Sequence, residues 1–168
     1  IFITGGTGFF GCWLLETFLW ANQKLNLQAH AVVLTRNSEA FQAKAPHLAN
    51  HPAITLHQGD IRDFAFPAGS FSHIIHAATE VTGTQAQQDP VGLFDAIVAG
   101  TRRVLELACQ NKKAKVLLTS SGAVYGRQPP ELNGFAETYL SGPDLMSPRS
   151  AYGEGKRASE HLAALYHQ

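Results

Sequence analysis

The stretch TGGTGFFG at residues 4–11 places three glycines, Gly5, Gly8 and Gly11, at GxxGxxG spacing. A short β-rich run, Ile1–Thr4, leads into the stretch and predicts the first strand, and a helical pattern from Phe9 to Asn22 follows. Gly5 permits a tight turn, Gly8 lets the backbone approach a pyrophosphate, and Gly11 lets the helix pack against the strand. The N-terminus of the helix also presents free N–H groups to an anion. The stretch therefore predicts dinucleotide binding, and a plain glycine turn is the alternative.

Short apolar runs and helical patterns alternate beyond this turn. The remaining strands are expected at His30–Thr35, Ala53–His57, Ser72–His76 and Val116–Thr119, the longest helix at Val91–Gln110 and a final helix from Pro148. Asp89 and Pro90 are expected to start the longest helix, as its N-cap and as the proline of its first position. Nearly continuous apolar strands indicate a parallel sheet that is covered on both faces. The sequence therefore predicts an α/β fold, a Rossmann-type doubly wound parallel sheet with helices on both faces, as one domain over residues 1–168. On the first helix, Trp13, Leu14 and Phe18 are expected to face the sheet.

The composition argues against several classes of protein. Thirteen Lys and Arg residues balance thirteen Asp and Glu residues, so there is no basic surplus to neutralise the phosphates of a nucleic acid. No uncharged apolar run of about 18 residues occurs, and we expect no membrane span. The two cysteines, Cys12 and Cys109, lie far apart, and no Cys or His residues have metal-ligand spacing. This usage favours a reducing, cytoplasmic location and no bound metal.

Two groups of polar residues in the second half indicate acid/base chemistry. Tyr152 and Lys156 are four residues apart in a helical segment, so their side chains share one helix face. A nearby ammonium favours the phenolate form of a tyrosine, which makes Tyr152 a candidate acid/base for a hydroxyl or carbonyl. Ser120 and Ser121 follow the fifth predicted strand, where a hydroxyl can hold a substrate oxygen. The alternatives are an exposed helix face for the Tyr–Lys pair and simple strand termination for the serines.

Six motifs follow one another in an order that is typical of one family. They are TGGTGFFG at 4–11, GDIRD at 59–63, HAA at 76–78, GTRRVLELA at 100–108, SSGAVYG at 120–126 and YGEGKRASE at 152–160. Together they resemble the extended short-chain dehydrogenase/reductase family, in particular its nucleotide-sugar epimerase and dehydratase branch, over nearly the whole chain. The resemblance implies that Tyr152 is the catalytic acid/base and that Lys156 binds the nicotinamide ribose. It also implies that Ser121 is the active-site hydroxyl, with Ser120 as the fallback.

The resemblance further implies a set of contacts to NAD(P). The residues of the glycine turn that are expected to bind the cofactor are Gly5, Thr7, Gly8, Phe9, Phe10 and Gly11. The others are Asp60 and Ile61 beside the adenine, Ala77 and Ala78 along the cofactor, and Thr79 towards the nicotinamide or substrate. At the end of the second strand, Arg36 stands where NAD-binding units usually carry an acid. An arginine suits a 2′-phosphate, so NADP is favoured over NAD, and a solvent-exposed loop arginine is the alternative.

The chain departs from the family pattern at three places. Ile97 stands where members often carry Asn, and Gly155 stands where a small polar residue usually precedes the lysine. A Gly-Ala pair at residues 122–123 stands where the sugar 4,6-dehydratases usually show an acidic pair, and this lowers the dehydratase interpretation. Glu80 and Glu154 are the nearest acids that can replace that pair, and both can equally be solvated surface residues.

The resemblance ends after the catalytic helix. We therefore expect the chain to hold the cofactor half of the site and to lack the smaller C-terminal part that binds the nucleotide and sugar. The first hypothesis is an NAD(P)-dependent epimerase/dehydratase-type enzyme that acts on a nucleotide sugar, or another small molecule, by hydride transfer. The alternatives are an NADPH-dependent ketone or aldehyde reductase of the same family, and a cofactor-binding fragment without turnover of its own. Relatives commonly dimerise through the long and the catalytic helix, so a homodimer is a further expectation.

Overall fold

A computed structural model describes residues 1–79 and 88–168 of the chain. The chain divides into two compact units, Ile1–Ala78 with Glu106–Thr119, and Thr79–Leu105 with Ser120–Gln168. The sheet belongs to the first unit, and the helix that carries Tyr152 belongs to the second. Within the described residues no helix is both long enough and apolar enough to cross a lipid bilayer. The expectation of one domain over the whole chain stays a prediction.

The first unit is built on a parallel sheet of five strands. They are β1 (Phe2–Thr4), β2 (Ala31–Thr35), β3 (Ile54–Gln58), β4 (His73–His76) and β5 (Lys115–Leu118). Their order is β3-β2-β1-β4-β5, so the chain moves outward from β1 to β3 and then returns to place β4 beside β1. The order reverses at β1, where Ile3 pairs with Val33 on one side and with Ile75 on the other. A position where the strand order reverses is called a switch point, and ligands of doubly wound sheets bind there, outside the carboxyl ends of the strands. The parallel sheet with this strand order confirms the predicted fold class.

Three helices pack on one face of this sheet. They are α1 (Phe9–Lys24), α2 (Ser38–Lys44) and α3 (Pro46–Ala49). The core between them and the strands is apolar and buried, and its members are Ile3, Leu15, Ala31, Val33, Phe41, Ala45, Leu48, Ala49 and Ile54. Elsewhere in the unit the Phe2 ring stacks on the Phe64 ring, with 5.5 Å between the ring centres. The short helices α2 and α3 are absent from the prediction.

The buried face of α1 differs from the prediction at Trp13, and Leu14 is half-buried without belonging to the residues that pack on the core. Phe18 packs against the core as expected, but the Trp13 side chain is 64% exposed. Leu15 is fully buried, and a residue two positions away lies about 200° round an α-helix. Trp13 therefore points to solvent, and the prediction for Trp13 is wrong because Leu15 sets the buried face.

The second unit consists mainly of two helices and the irregular chain between them. The first helix is α4 (Pro90–Gln110), which lies in this unit up to Leu105, and the second helix is α5 (Ala151–Tyr166). The predicted start of α4 is confirmed, since Asp89 Oδ1 accepts a hydrogen bond from the Gly92 N–H at 2.8 Å. A 3₁₀ helix at Gly122–Tyr125 follows the sheet, and a second one at Pro148–Ser150 leads directly into α5.

Candidate active site

The glycine turn lies at the switch point of the sheet, between β1 and α1. Gly5 has a φ of +73°, and a Cβ atom there would lie 2.4 Å from the Ala77 carbonyl oxygen. A Cβ atom at Gly11 would lie 2.1 Å from the Gly5 carbonyl oxygen, so the first turn of α1 packs directly on the glycine turn. Only glycine lets the backbone adopt this turn and come this close. The structure thus brings the turn after β1 against Ala77 and Ala78, the segment after β4.

A buried polar contact joins β1 and β4 beneath the turn. Thr4 Oγ1 lies 2.7 Å from His76 Nδ1 and accepts a hydrogen bond from the Ala78 N–H at 3.2 Å. Both side chains are buried, and Ala77 and Ala78 are themselves half-buried. The contact holds the segment after β4 against the glycine turn. Sequence reasoning missed Thr4 and His76, because their pairing depends on the register of two strands that are 72 positions apart.

The N-terminus of α1 is open to an anion. Gly8 is the N-cap and has no side chain to cap the helix, and no acidic residue lies in the first turn. Phe9 and Phe10 form an edge-to-face pair, and both side chains are largely exposed. Lys44 of α2 donates a hydrogen bond from Nζ to the Thr7 carbonyl oxygen at 2.8 Å, which places a positive charge beside the turn. Lys44 is a further candidate binding residue that the sequence pattern did not indicate.

These features fit the pyrophosphate of a dinucleotide. The glycine turn and Ala77 form a closely packed cradle, in which a Cβ atom at Gly5 or Gly11 would collide with backbone atoms. A Cβ atom at Gly8 would meet only the Gly5 carbonyl oxygen, at 3.3 Å, so the backbone at Gly8 is open to a ligand. The helix N-terminus offers N–H groups and the positive end of the helix dipole, and the Lys44 ammonium adds a full charge.

The segments after β2 and β3 carry the residues predicted for the adenine end. Arg36 is exposed and Ile61 is half-buried. The Asp60 carboxylate accepts hydrogen bonds from Arg62 Nε at 2.8 Å and from Arg62 Nη2 at 3.1 Å. The Arg62 hydrogen bond holds the pKa of Asp60 below its ordinary value, and the positive charges of Arg62 and Arg36 act in the same direction. Two guanidinium groups therefore act on one carboxylate at this end of the first unit.

In the second unit, Ser121 and the start of α5 both contact Ala123. Ser121 Oγ accepts a hydrogen bond from the Ala123 N–H at 3.2 Å and so caps the 3₁₀ helix. A Cβ atom at Gly153 would lie 2.7 Å from the Ala123 carbonyl oxygen, so α5 packs on the 3₁₀ helix next to Tyr152. Ser121 and Tyr152 are thereby held on neighbouring segments.

Lys156 lies one turn along α5 from Tyr152. Its Nζ is 5.9 Å from the centre of the Tyr152 ring and donates a hydrogen bond to Thr79 Oγ1 at 2.8 Å. The residue is only 4% exposed, and this burial lowers the pKa of Lys156, while the Glu160 carboxylate acts in the opposite direction. Thr79 thus joins the acid/base group. A phenol, a buried ammonium and serine and threonine hydroxyls can together move a proton to and from a substrate oxygen.

Two departures from the family pattern contact each other. A Cβ atom at Gly155 would lie 3.2 Å from three carbons of the Ile97 side chain. Ile97 is buried on α4 and occupies the space beside α5 that a side chain at position 155 would need. Nearby, the buried hydroxyls of Thr101 and Ser159 lie 2.9 Å apart and join the same two helices. The two unusual residues are therefore a complementary pair.

Glu154, one of the two acids considered as replacements for the dehydratase pair, lies 3.7 Å from Arg157 Nε. Arg157 also donates hydrogen bonds to the carbonyl oxygens of Val124, at 3.2 Å, and Ser141, so it fastens the irregular segment to α5. The other acid, Glu80, lies outside the described residues. In residues 1–79 and 88–168 no three His, Cys, Asp or Glu side chains are grouped as metal ligands.

The sequence and the structure are similar to those of known proteins of one family. The profile of the NAD dependent epimerase/dehydratase family matches residues 1–168. UDP-glucuronic acid decarboxylase 6 from Arabidopsis thaliana is 31% identical over 171 residues, covering 100% of this chain and 46% of the relative. UDP-glucose 4-epimerase from Lacticaseibacillus casei is 29% identical over 167 residues, covering 96% of this chain and 45% of the relative. The structure of UDP-glucuronic acid 4-epimerase from Bacillus cereus superposes with a TM-score of 0.77 at 22% identity, covering 99% of this chain and 51% of that one. The chain spans about half the length of these relatives.

Proposed function

Because the chain belongs to the NAD-dependent epimerase/dehydratase family, we propose that the protein acts on a nucleotide sugar by hydride transfer with Tyr152 as the acid/base. The observation that carries this proposal is the grouping in the second unit. Ser121 caps a helix on which the start of α5 packs, and Lys156 Nζ lies 5.9 Å from the Tyr152 ring. Two relatives of the chain are a UDP-glucuronic acid decarboxylase and a UDP-glucose 4-epimerase, which supports a nucleotide sugar as substrate.

The chain's own residues divide the chemistry among them. Tyr152 takes the proton of a sugar hydroxyl while the hydride leaves the same carbon, and it returns the proton in the reverse step. The bound nicotinamide supplies the hydride chemistry. The Lys156 ammonium lies beside the Tyr152 ring, and its burial limits the screening of its charge by water. Thr79 fixes the ammonium through the 2.8 Å hydrogen bond, and Ser121 holds the sugar oxygen.

The first unit would hold the cofactor. The glycine turn and the N-terminus of α1 bind the pyrophosphate, and Ala77 and Ala78 line the dinucleotide beside Gly5. Asp60 and Ile61 flank the adenine. This division of roles is supported by the cradle between the turn and Ala77.

We further propose that NADP is preferred to NAD because of Arg36. Arg36 is exposed beyond β2, and its charge already acts on Asp60, which supports a cation at the adenosine end. A hydrogen bond from a charged group contributes about 1.5–3 kcal/mol, or roughly ten- to a hundredfold in affinity. Arg36→Asp should therefore reverse the preference in a fluorescence titration of both cofactors, while Lys112→Asp, an exposed control, should leave it unchanged. NADP binding no tighter than NAD binding, with a ratio that Arg36→Asp does not alter, would rule out this preference.

The substrate proposal is tested by following sugar and cofactor together. The complete protein is incubated with UDP-glucose or UDP-glucuronic acid and bound cofactor, and both sugar products and reduced nicotinamide are measured. We expect conversion of a sugar without net consumption of cofactor. Net oxidation of NADPH with a ketone or aldehyde, and no sugar conversion, would instead support the reductase. Tight cofactor binding without any turnover would support a binding protein.

We also propose a cytoplasmic homodimer. Cys12 and Cys109 are both free thiols, which supports a reducing compartment. Val91 and Phe94 on α4 are exposed apolar side chains that a second copy can cover. Sedimentation equilibrium of the complete protein should give a dimer mass that Val91→Glu reduces. A monomer in the unmodified protein would contradict this proposal.

A further inference from the structure

Glu160 lies on α5, the helix that carries Tyr152, and its charge acts on Lys156. It follows Tyr152 and Lys156 at successive intervals of four residues, so the three side chains occupy one face of α5. Glu160 Oε1 accepts a hydrogen bond from Ser120 Oγ, a residue that is 40 positions away in the sequence. A carboxylate on the catalytic face is therefore bound to the segment that carries the active-site serine.

We propose that Glu160 is a positioning residue, which holds the Ser120–Ser121 segment against the helix that carries Tyr152 and Lys156. This inference rests on the proposed function, in which Ser121 and Tyr152 meet the same sugar oxygen. Ser120 directly precedes Ser121, so the hydrogen bond to Glu160 fixes the backbone from which the Ser121 hydroxyl reaches the substrate.

The segment is fastened to α5 on both sides of Ser121. On the C-terminal side, Gly153 packs on the Ala123 carbonyl, where a Cβ atom would lie at 2.7 Å. On the N-terminal side, Ser120 is bound to Glu160, about two helical turns further along α5. Arg157 adds a second contact on the C-terminal side, through its hydrogen bond to the Val124 carbonyl oxygen at 3.2 Å. The Ser120 contact to α5 lies on the other side of Ser121, so together these contacts restrict the direction of the Ser121 side chain. A carboxylate suits this task because its hydrogen bonds are shorter and stronger than those between neutral groups.

The same contact distinguishes the two serines. The Ser120 hydroxyl donates to Glu160, whereas the Ser121 hydroxyl accepts from the Ala123 N–H and keeps its own proton for a substrate oxygen. This arrangement favours Ser121 as the substrate-binding hydroxyl and Ser120 as its anchor. The Glu160 carboxylate also raises the pKa of Lys156 against the effect of burial, which favours the charged ammonium.

Hydrogen exchange tests the anchor without any need for substrate. The variants are Ser120→Ala, Glu160→Ala, their combination and Glu160→Gln in the complete protein, with Glu131→Gln as an exposed control. The Val124 and Gly126 amides close the 3₁₀ helix by donating to the Ser121 and Ala123 carbonyls, so they report on this segment. We expect both single variants to speed exchange of these amides equally, the combination to add nothing, and Glu160→Gln, which keeps an acceptor, to retain most of the protection. Glu131→Gln should have no effect.

Enzyme kinetics distinguish a positioning role from a purely structural one, because a positioning role lowers kcat while KM stays nearly constant. With a nucleotide sugar that the wild type converts, kcat should fall about ten- to a hundredfold in Ser120→Ala and Glu160→Ala, with KM little changed. Glu160→Gln should recover much of this loss. Additive effects in the combined variant, or unchanged exchange in Ser120→Ala, would overturn the proposal. If the wild type converts no nucleotide sugar, the proposed function is wrong. Hydrogen exchange of the Val124 and Gly126 amides then still shows whether Glu160 anchors Ser120. If the alanine variants do not fold, Glu160→Gln and Ser120→Thr are compared in the same way, and unprotected Val124 and Gly126 amides in both would contradict the anchor.

Discussion

Gly5→Ala is expected to damage both the stability of the first unit and its cofactor site. At Gly5, φ is +73°, and a Cβ atom would lie 2.4 Å from the Ala77 carbonyl oxygen and 2.7 Å from the Ala78 nitrogen. Gly69 also has a positive φ, +102°, but a Cβ atom there would meet no atom within 4 Å. Gly69→Ala therefore measures backbone strain alone, and Gly5→Ala adds the collision with the segment after β4.

The magnitudes follow from these two contributions. A residue held in a sparsely populated backbone region costs about 1–3 kcal/mol. An extra atom in a closely packed place costs about 1–3 kcal/mol more. We thus expect Gly69→Ala to lower the free energy of unfolding by about 1–3 kcal/mol and Gly5→Ala by about 2–6 kcal/mol. The colliding atoms are backbone, so Ala77 and Ala78 must move, and cofactor affinity should fall about tenfold or more, which corresponds to about 1.4 kcal/mol.

Urea unfolding and cofactor fluorescence titration of the complete protein measure the two effects separately. Gly8→Ala is a third variant, because Gly8 has an ordinary φ of −77° and its Cβ atom would meet only the Gly5 carbonyl oxygen, at 3.3 Å. Gly8→Ala should cost less stability than Gly5→Ala while testing the close approach of the pyrophosphate. Equal losses of stability in Gly5→Ala and Gly69→Ala, or an unchanged cofactor affinity in Gly5→Ala, would refute a cradle shared by the turn and Ala77.

Four further variants probe the charges and contacts of the site. Lys156→Met should abolish turnover yet raise the stability at neutral pH, because burial holds the folded-state pKa of Lys156 below its unfolded value. Urea unfolding should show the whole increase in unfolding free energy at a pH below the pKa of Lys156 in the folded protein. The increase should vanish as the pH rises through the pKa of Lys156 in the unfolded protein. An increase that persists in strong alkali would contradict this explanation. Gly153→Ala should lower kcat more than Gly155→Ala. The new Cβ atom at residue 153 would lie 2.7 Å from the Ala123 carbonyl oxygen, whereas the one at residue 155 would lie 3.2 Å from the Ile97 side chain, which can adjust. Equal kcat values in the two variants would argue against the packing of α5 on the 3₁₀ helix. Lys44→Met should weaken cofactor binding and flatten its salt dependence in calorimetry, and an unaltered salt dependence would exclude Lys44 from the site.

The sheet could be predicted from the sequence because each strand is a short apolar run bounded by turn residues. The five predicted strands agree with β1–β5 to within one residue at each end. The start of α4 was also predictable, since the Asp89 cap and the proline that follows it are local signals. The helices α2 and α3 were not, because they have 7 and 4 residues and are too short for a helical period. Their burial depends on Phe41 and Leu48 meeting the core.

The candidate site could be predicted only where its chemistry is local in the chain. The glycine spacing and the Tyr152–Lys156 interval are such signals. The groups that fasten them come from distant positions, since Lys44 reaches the glycine turn across 37 positions and Glu160 reaches Ser120 across 40. The contact of Gly155 with Ile97 likewise joins two helices. Contacts of this kind depend on tertiary packing, which a periodic pattern in one segment does not encode.

The role of Tyr152 is the central claim, and single-turnover hydride transfer in Tyr152→Phe tests it most directly. Phenylalanine keeps the ring beside Lys156 and removes only the hydroxyl. The complete protein with bound cofactor is mixed rapidly with the nucleotide sugar that the wild type converts, and the absorbance of reduced nicotinamide is followed. We predict an unchanged cofactor affinity and a rate of reduction about a hundredfold to ten-thousandfold lower than in the wild type, the range that general acid–base catalysis supplies. An unchanged rate of reduction in Tyr152→Phe would contradict the claim.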